Sequence, residues 1–164
     1  MHGSTIPDKS DRTLLTRCAH GDPEAVDLLV ERYVTAGLPI ASRLAGAGAP
    51  SDQVIDVVHD AFIKAFDDAM DDDADSPAPL FTRLLGVSAA ALRDTPTGHC
   101  DAPQAITPAD VRQLRRDVVN EVRLTVALRM ESPQSWRSAR RIVQQLRAMR
   151  RRLKNNLKLG PLDD

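Results

Sequence analysis

The fold of this chain is indicated first by the stretch Asp56-Val57-Val58-His59-Asp60-Ala61-Phe62-Ile63-Lys64-Ala65-Phe66. The stretch and its flanks predict one amphipathic helix with two different faces. Its apolar residues recur at helical spacing and are expected to pack inward; they are Val54, Val58, Phe62, Ala65 and Ala69. Its polar residues are expected to project from the opposite side; they are Asp56, His59, Asp60, Lys64 and Asp67.

The composition of the whole chain favours an all-helical protein. The 164 residues are enough for one compact domain or two small ones, and apolar residues make up 42% of them. Aromatic residues contribute only 3%, so the core has to be built from Leu, Val, Ile and Ala. No segment alternates between apolar and polar residues with the period of a strand, and Leu, Ala and Arg are good helix formers.

Capping residues and breakers divide the chain into predicted helices. Asp11 is expected to cap a helix over 12–19, and Asp22-Pro23 to begin a second one with a break or kink near Gly37-Leu38-Pro39. Asp52 is expected to cap the third helix, which contains the opening stretch. An acidic loop over 71–77 separates it from a fourth helix over about 80–92. Two more are predicted over about 109–130 and from Pro133 to about Lys158.

Three segments are therefore predicted. Residues 1–94 form a helical domain, residues 95–108 form a linker with three prolines, and residues 109–160 form an antiparallel helical hairpin. Charge divides the chain at nearly the same place. Residues 1–108 carry 8 Lys and Arg against 17 Asp and Glu, and residues 109–160 carry 14 against 4. The two halves are expected either to have separate functions or to attract each other.

Residues 11–93 resemble region 2 of bacterial sigma factors of the extracytoplasmic-function type. In that family the opening stretch reads like Asp-Val-Val-Gln-Asp-x-Phe-Leu-Lys-Ala-Trp, with Gln where this chain has His59 and Trp where it has Phe66. Other matches follow in order along the chain. They are Leu14-Leu15, Gly21-Asp22-Pro23-Glu24-Ala25, Leu28, Leu29 and Tyr33, and then Phe81 and Leu85.

The resemblance implies a sigma region 2-like helical domain that binds core RNA polymerase. Asp56, His59, Asp60 and Lys64 would form the polymerase-binding set, facing the clamp coiled coil of the largest catalytic subunit. Acidic and hydrogen-bonding side chains suit a partner surface rich in arginine. The same residues are also typical of the solvated face of an ordinary amphipathic helix, and the sequence leaves both interpretations open.

The chain departs from the family where promoter DNA would be opened. Capture of unstacked bases needs positive charge and stacking surface, but the loop after the third helix carries Asp71, Asp72, Asp73 and Asp75. Leu84 stands roughly where the family has Trp, and Ala91 roughly where it has Asn. Residues 109–160 show no helix-turn-helix pattern either. The sequence therefore predicts polymerase binding with weak or no initiation.

The second helix of the hairpin is strongly basic. An apolar stripe along it is expected to pack on a neighbouring helix and to leave a surface for phosphate groups. The candidate nucleic-acid-binding residues are Arg137, Arg140, Arg141, Arg147, Arg150, Arg151, Arg152 and Lys154. The alternative is a basic face that is solvated or paired with the acidic half. The hairpin also contains Leu128-Arg129-Met130 and Leu146-Arg147-Ala148-Met149-Arg150-Arg151, and over about forty residues it resembles a two-helix ribosomal protein beside the exit tunnel. This resemblance makes ribosomal RNA a further candidate partner.

Other classes of function are not indicated. The sequence shows no metal-ligand spacing, no phosphate loop and no pairing of a nucleophile with a base, so neither a cofactor, a metal nor an enzymatic activity is expected. No run of apolar residues is long enough for a membrane span and no secretory signal is visible, so a cytoplasmic protein with no membrane partner and two reduced thiols is expected. Three hypotheses result: a divergent sigma-type factor or regulator, a ribosome-associated or RNA-binding protein, and a protein-interaction module.

Overall fold

The chain is all-helical in a computed structural model that describes residues 10–95, 105–131, 141–146, 148–150 and 152–153. Five long helices are found in the first two of these ranges: α1 (Asp11–Ala19), α2 (Pro23–Ala45), α3 (Ser51–Asp71), α4 (Ala78–Asp94) and α5 (Pro108–Glu131). The three last ranges are helical as well, and the described residues contain no strand. This confirms the predicted all-α class. No helix among the described residues has the length and apolarity needed to cross a bilayer.

Side-chain caps fix where several helices begin. The Ser10 hydroxyl accepts a hydrogen bond from the Thr13 N–H, so that Ser10 caps α1 in place of Asp11, the residue that we predicted. The Asp22 carboxylate accepts from the Glu24 and Ala25 N–H groups, and Pro23 follows at the first helical position, as predicted. Thr107 and Asp110 cap α5 reciprocally. The predicted cap at Asp52 is wrong, because α3 already begins at Ser51 and Pro50 occupies the capping position.

Two helices end in left-handed turns. Gly21 has a φ of 79°, and the Asp22 N–H donates back to the Arg17 carbonyl at the end of α1. Asp73 has a φ of 50°, and the Ala74 N–H donates to the Ala69 carbonyl at the end of α3. Aspartate tolerates this conformation better than most side chains, so the acidic loop can close α3 without a glycine.

The predicted break near Pro39 does not occur. Pro39 lies inside α2, which continues to Ala45. Proline removes one helical hydrogen bond and normally costs about 3 kcal/mol in a helix interior. Leu38, Ala41 and Ala45 are buried on either side of it, so the packing of the last turns offsets this loss.

The core is one apolar cluster to which all five helices contribute. Its centre is aromatic. The ring centroid of Tyr33 lies 5.5 Å from that of Phe62 and 5.0 Å from that of Phe81. The ring centroid of Phe66 lies 6.0 Å from that of Phe62. Gly37 gives Phe81 room, because a Cβ at that position would lie 2.7 Å from the tip of the Phe81 ring. The aromatic residues in the described part of the chain are thus concentrated at one point.

The chain divides into two compact units after Val126. The first unit includes α5 as far as Val126. The buried apolar residues of this part of α5 recur every fourth position; they are Leu114, Val118, Val122 and Val126. The observed division therefore lies inside the segment 109–160 that the sequence assigns to the hairpin. Most of the predicted linker (96–104) and the turn of the predicted hairpin lie outside the described residues.

Candidate interaction surfaces

His59 on α3 is held by two carboxylates. Its Nε2 lies 2.6 Å from Glu121 Oε2 on α5, and its Nδ1 lies 3.3 Å from Asp60 Oδ1. Only 24% of the side chain is exposed. Burial lowers the pKa of the imidazole, but the hydrogen bonds and charges of Asp60 and Glu121 outweigh it and raise the pKa to about 9. His59 is therefore an imidazolium at neutral pH, and one of its ring nitrogens is engaged by α5.

The other predicted polymerase-binding residues lie around His59 in different surroundings. Asp56 is half-buried, and the Asp60 side chain is 33% exposed. The Lys64 ammonium is exposed and pairs within its own helix with the Asp68 carboxylate at 3.1 Å. Asp67, which the periodicity places on the polar side, is only 3% exposed. The accessible part of the predicted polar face is therefore narrower than expected, and of its acidic residues Asp56 and Asp60 are partly accessible.

Two further ion pairs connect α5 to α2. Arg115 Nη2 lies 3.3 Å from Glu31 Oε2, and Arg123 Nη2 lies 3.2 Å from Asp27 Oδ1. Both pairs are substantially exposed, so each contributes little to stability, typically less than about 1 kcal/mol. They do show that part of the basic half pairs with the acidic half inside the first unit. Arg115 and Arg123 are therefore poorer candidates for phosphate binding than the exposed arginines further along the chain.

A hydrogen-bonded cluster around Asp11 was not predicted. Asp11 Oδ2 accepts from the Tyr33 hydroxyl at 2.5 Å and from the Ser76 hydroxyl at 2.5 Å, and Arg32 pairs with Oδ1. Burial raises the pKa of the carboxyl, but these hydrogen bonds and the Arg32 charge outweigh it, so the pKa is lowered overall. Residues so far apart in sequence give no periodic signal, so only the tertiary fold reveals this cluster.

The Asp11 cluster fixes the acidic loop on α1 and α2. The Ser76 hydroxyl also accepts a hydrogen bond from the N–H of Ala78, the first residue of α4, at 3.1 Å. Asp75 pairs with Arg12 at 3.0 Å on the exposed surface. Asp72 and Asp73 remain exposed, so the loop presents negative charge to solvent. This surface is unsuited to a phosphate backbone.

The described residues offer no site for a metal or a reactive thiol. They contain no group of three or more His, Cys, Asp or Glu side chains that could hold a metal ion. Cys18 is a free thiol in the core, and burial together with the nearby Asp22 charge raises its pKa to about 12. A thiol with so high a pKa is a weak nucleophile at neutral pH.

The basic segment is described in part. Arg141, Arg150 and Arg152 are exposed. The side chains of the other candidate nucleic-acid-binding residues lie outside the described part of the chain; they are Arg137, Arg140, Arg147, Arg151 and Lys154. The apolar stripe is exposed too, and the relative exposures of Ile142, Leu146, Met149 and Leu153 range from 57% to 61%. The expectation that this stripe packs on a neighbouring helix is therefore wrong for these four residues.

Comparison with known proteins adds no further assignment. No protein-family model, curated protein sequence or solved structure matches this chain significantly.

Proposed function

We propose that this protein is a divergent sigma-type transcription factor or regulator that binds core RNA polymerase through α3 and contacts nucleic acid through its basic C-terminal segment. One observation supports the first part best. The residues that carry the resemblance fall in order on four consecutive helices, and their large apolar members pack in one core: Leu14, Leu15, Leu29, Tyr33, Phe62, Phe66, Phe81 and Leu85.

The docking surface in this proposal is the strip of α3 around Asp56 and Asp60. These carboxylates lie one helical turn apart and are partly exposed, so they can pair with arginines of a partner. His59 between them is already bound to Glu121, so its role is to position the strip and not to contact the polymerase. We therefore propose that, of the four predicted residues, Asp56 and Asp60 make the polymerase contact.

Capture of purified core polymerase by the full chain tests this docking surface. Reversing both charges with Asp56→Arg/Asp60→Arg should reduce capture at least about tenfold, because two attractive pairs become repulsive. The variant Asp72→Arg/Asp94→Arg makes the same charge change at exposed positions outside α3 and should bind like the wild type. Equal capture of the wild type and the α3 variant, or no capture of either, would contradict the proposal.

The basic segment is proposed to contact phosphate groups. Nine Arg and Lys and no Asp or Glu occur between residues 137 and 158, and the described arginines among them are exposed. Affinity for duplex DNA and for RNA should fall steeply with salt, and replacing Arg150, Arg151 and Arg152 with Gln should reduce that slope. A slope near zero that the substitutions leave unchanged would rule out phosphate binding.

The acidic loop predicts what happens after docking. Asp72 and Asp73 are exposed, so a non-template strand would meet negative charge beside α4. We therefore propose that the protein occupies core polymerase and initiates weakly or not at all. Transcription in vitro with core enzyme measures this, and robust promoter-dependent initiation would contradict it.

A ribosome-associated or RNA-binding role is the alternative. It is favoured by the exposed basic segment, which needs no polymerase to explain it. Binding of RNA in clear preference to DNA, together with failure to capture polymerase, would support this alternative. The protein that co-purifies with the chain, polymerase or ribosome, separates the two proposals.

A further inference from the structure

The exposed apolar stripe of the C-terminal basic segment is not explained by nucleic-acid binding. Ile142, Leu146, Met149 and Leu153 are each more than half exposed. At about 100° per residue, a helix over 142–153 would place the four positions within a sector of about 60°. Phosphate groups can pair with the arginines, but they leave an aliphatic stripe in water. The stripe therefore points to a partner with an apolar part.

Charge narrows the class of partner. Arg150 lies about 70° to one side of the centre of the stripe, and Arg141 and Arg152 lie about 90–110° to the other side. All three are exposed, and no acidic residue occurs between positions 132 and 162. The partner must therefore present negative groups on both sides of an apolar surface.

A second copy of the same helix does not meet this requirement. Pairing two stripes would place Arg150 and Arg152 beside the equivalent arginines of the other copy. Like charges at these flanking positions of a helix pair are repulsive, and the segment has no acidic residue to compensate them. Self-association through this stripe is therefore disfavoured.

We propose that this segment is an interfacial helix that binds the surface of a bilayer containing anionic phospholipid. The four apolar side chains would insert into the boundary between headgroups and acyl chains, along about 17 Å of helix. The flanking arginines would extend their aliphatic stems along the membrane and place their guanidinium groups at the lipid phosphates. This proposal differs from the expectation of no membrane partner, which considered only spanning segments, and it does not depend on polymerase binding.

Binding of the full chain to vesicles tests the proposal. Vesicles of phosphatidylcholine alone are compared with vesicles in which about half of the lipid is phosphatidylglycerol, and bound protein is measured by flotation. Wild type should bind the anionic vesicles at least about tenfold more tightly than the neutral ones. The variant Leu146→Gln/Leu153→Gln retains every charge but removes half of the stripe, and it should lose at least about tenfold in affinity.

Matched controls separate the possible outcomes. Leu124→Gln changes an equally exposed leucine on α5 and should leave vesicle binding unchanged. The stripe variant should keep wild-type affinity for nucleic acid, because its arginines remain. If the stripe variant binds anionic vesicles as well as the wild type, only electrostatic attraction is at work and the proposal is overturned. Absence of wild-type binding also overturns it and leaves an acid-rimmed groove of a protein partner as the explanation of the stripe.

Discussion

At the scale of single residues, His59 gives the first unit a predictable dependence on pH. Its pKa is raised to about 9 by Asp60 and Glu121 against the effect of burial, compared with about 6.5 in the unfolded chain. A group with a raised pKa stabilises the fold fully below its unfolded pKa, and this contribution is lost as pH rises through the folded value. We expect the free energy of unfolding to fall by about 1–3 kcal/mol between about pH 6.5 and pH 9.5.

The variant His59→Gln isolates this effect. Urea unfolding at several pH values should give a flatter profile for the variant, which carries no titrating group at this position. Cys18 also lowers the free energy of unfolding above about pH 8.5 in both proteins, because the pKa of its thiol is higher in the folded state than in the unfolded chain. The difference between the two profiles therefore reports the contribution of His59. Parallel profiles would show that the His59–Glu121 pair is not charged in the folded state.

Gly37 and Gly86 form a matched pair of glycines in helix interiors. A Cβ at Gly37 would lie 2.7 Å from Phe81 Cζ and 3.3 Å from Val58 Cγ1, and at Gly86 it would meet nothing within 4 Å. We expect Gly37→Ala to destabilise the protein by about 1–3 kcal/mol through overpacking. Gly86→Ala should stabilise it by about 0.5–1 kcal/mol, because alanine loses less entropy in a helix. Thermal unfolding measures both changes in stability. Stabilisation by Gly37→Ala would show that the Phe81 ring moves to accommodate the added Cβ.

At the scale of elements, α5 is a structural member of the first unit as far as Val126. Leu114 is 2% exposed, and Leu124 on the same helix is 56% exposed. We expect Leu114→Ala to cost about 2–5 kcal/mol and Leu124→Ala less than about 0.5 kcal/mol, because only the first leaves a cavity. Both are measured by denaturant unfolding of the full chain. If Leu114→Ala left the unfolding of the first unit unchanged, α5 would not be part of its cooperative core.

The helices themselves were largely predictable from the sequence. Leu14, Phe62 and Leu85 recur with apolar neighbours at helical spacing, and Asp22-Pro23 and Thr107-Pro108 are local signals that need no tertiary information. The sequence predicted a break or kink near Pro39, of which the break does not occur, and the predicted cap at Asp52 was wrong. Burial of Leu38 and Ala41 overrides the local effect of the proline, and Ser51 already begins α3 one residue before Asp52.

At the scale of the whole molecule, the charge asymmetry of the sequence has two different structural outcomes. Within the first unit, Arg115 and Arg123 of the basic half pair with Glu31 and Asp27 of the acidic half. Arg141, Arg150 and Arg152 remain exposed. The sequence left open whether such arginines pair internally or bind a partner, because net charge does not determine which helix face each side chain occupies.

The candidate docking surface was predictable only in outline. Helical periodicity correctly placed Asp56 and Asp60 at accessible positions of α3, but it could not place Glu121 beside His59. That contact joins residues on two helices separated by α4. Asp67 shows the same limit, since it follows the polar periodicity of α3 and is nevertheless buried. Helical periodicity describes one helix alone. Which of its polar residues are accessible depends on the other helices that pack against it.

The Asp11 cluster has a consequence for how the protein opens. One carboxylate joins the first turn of α1, the middle of α2 through Tyr33 and the start of α4 through Ser76. Fraying of α1 therefore removes the anchor of the loop before α4, although the two segments are distant in sequence. We expect the amide hydrogens of α1 and of residues 74–78 to exchange with solvent in a single opening event. Asp11→Asn should increase the amide hydrogen-exchange rates of both segments together. A faster exchange in α1 alone would show that the two segments open independently.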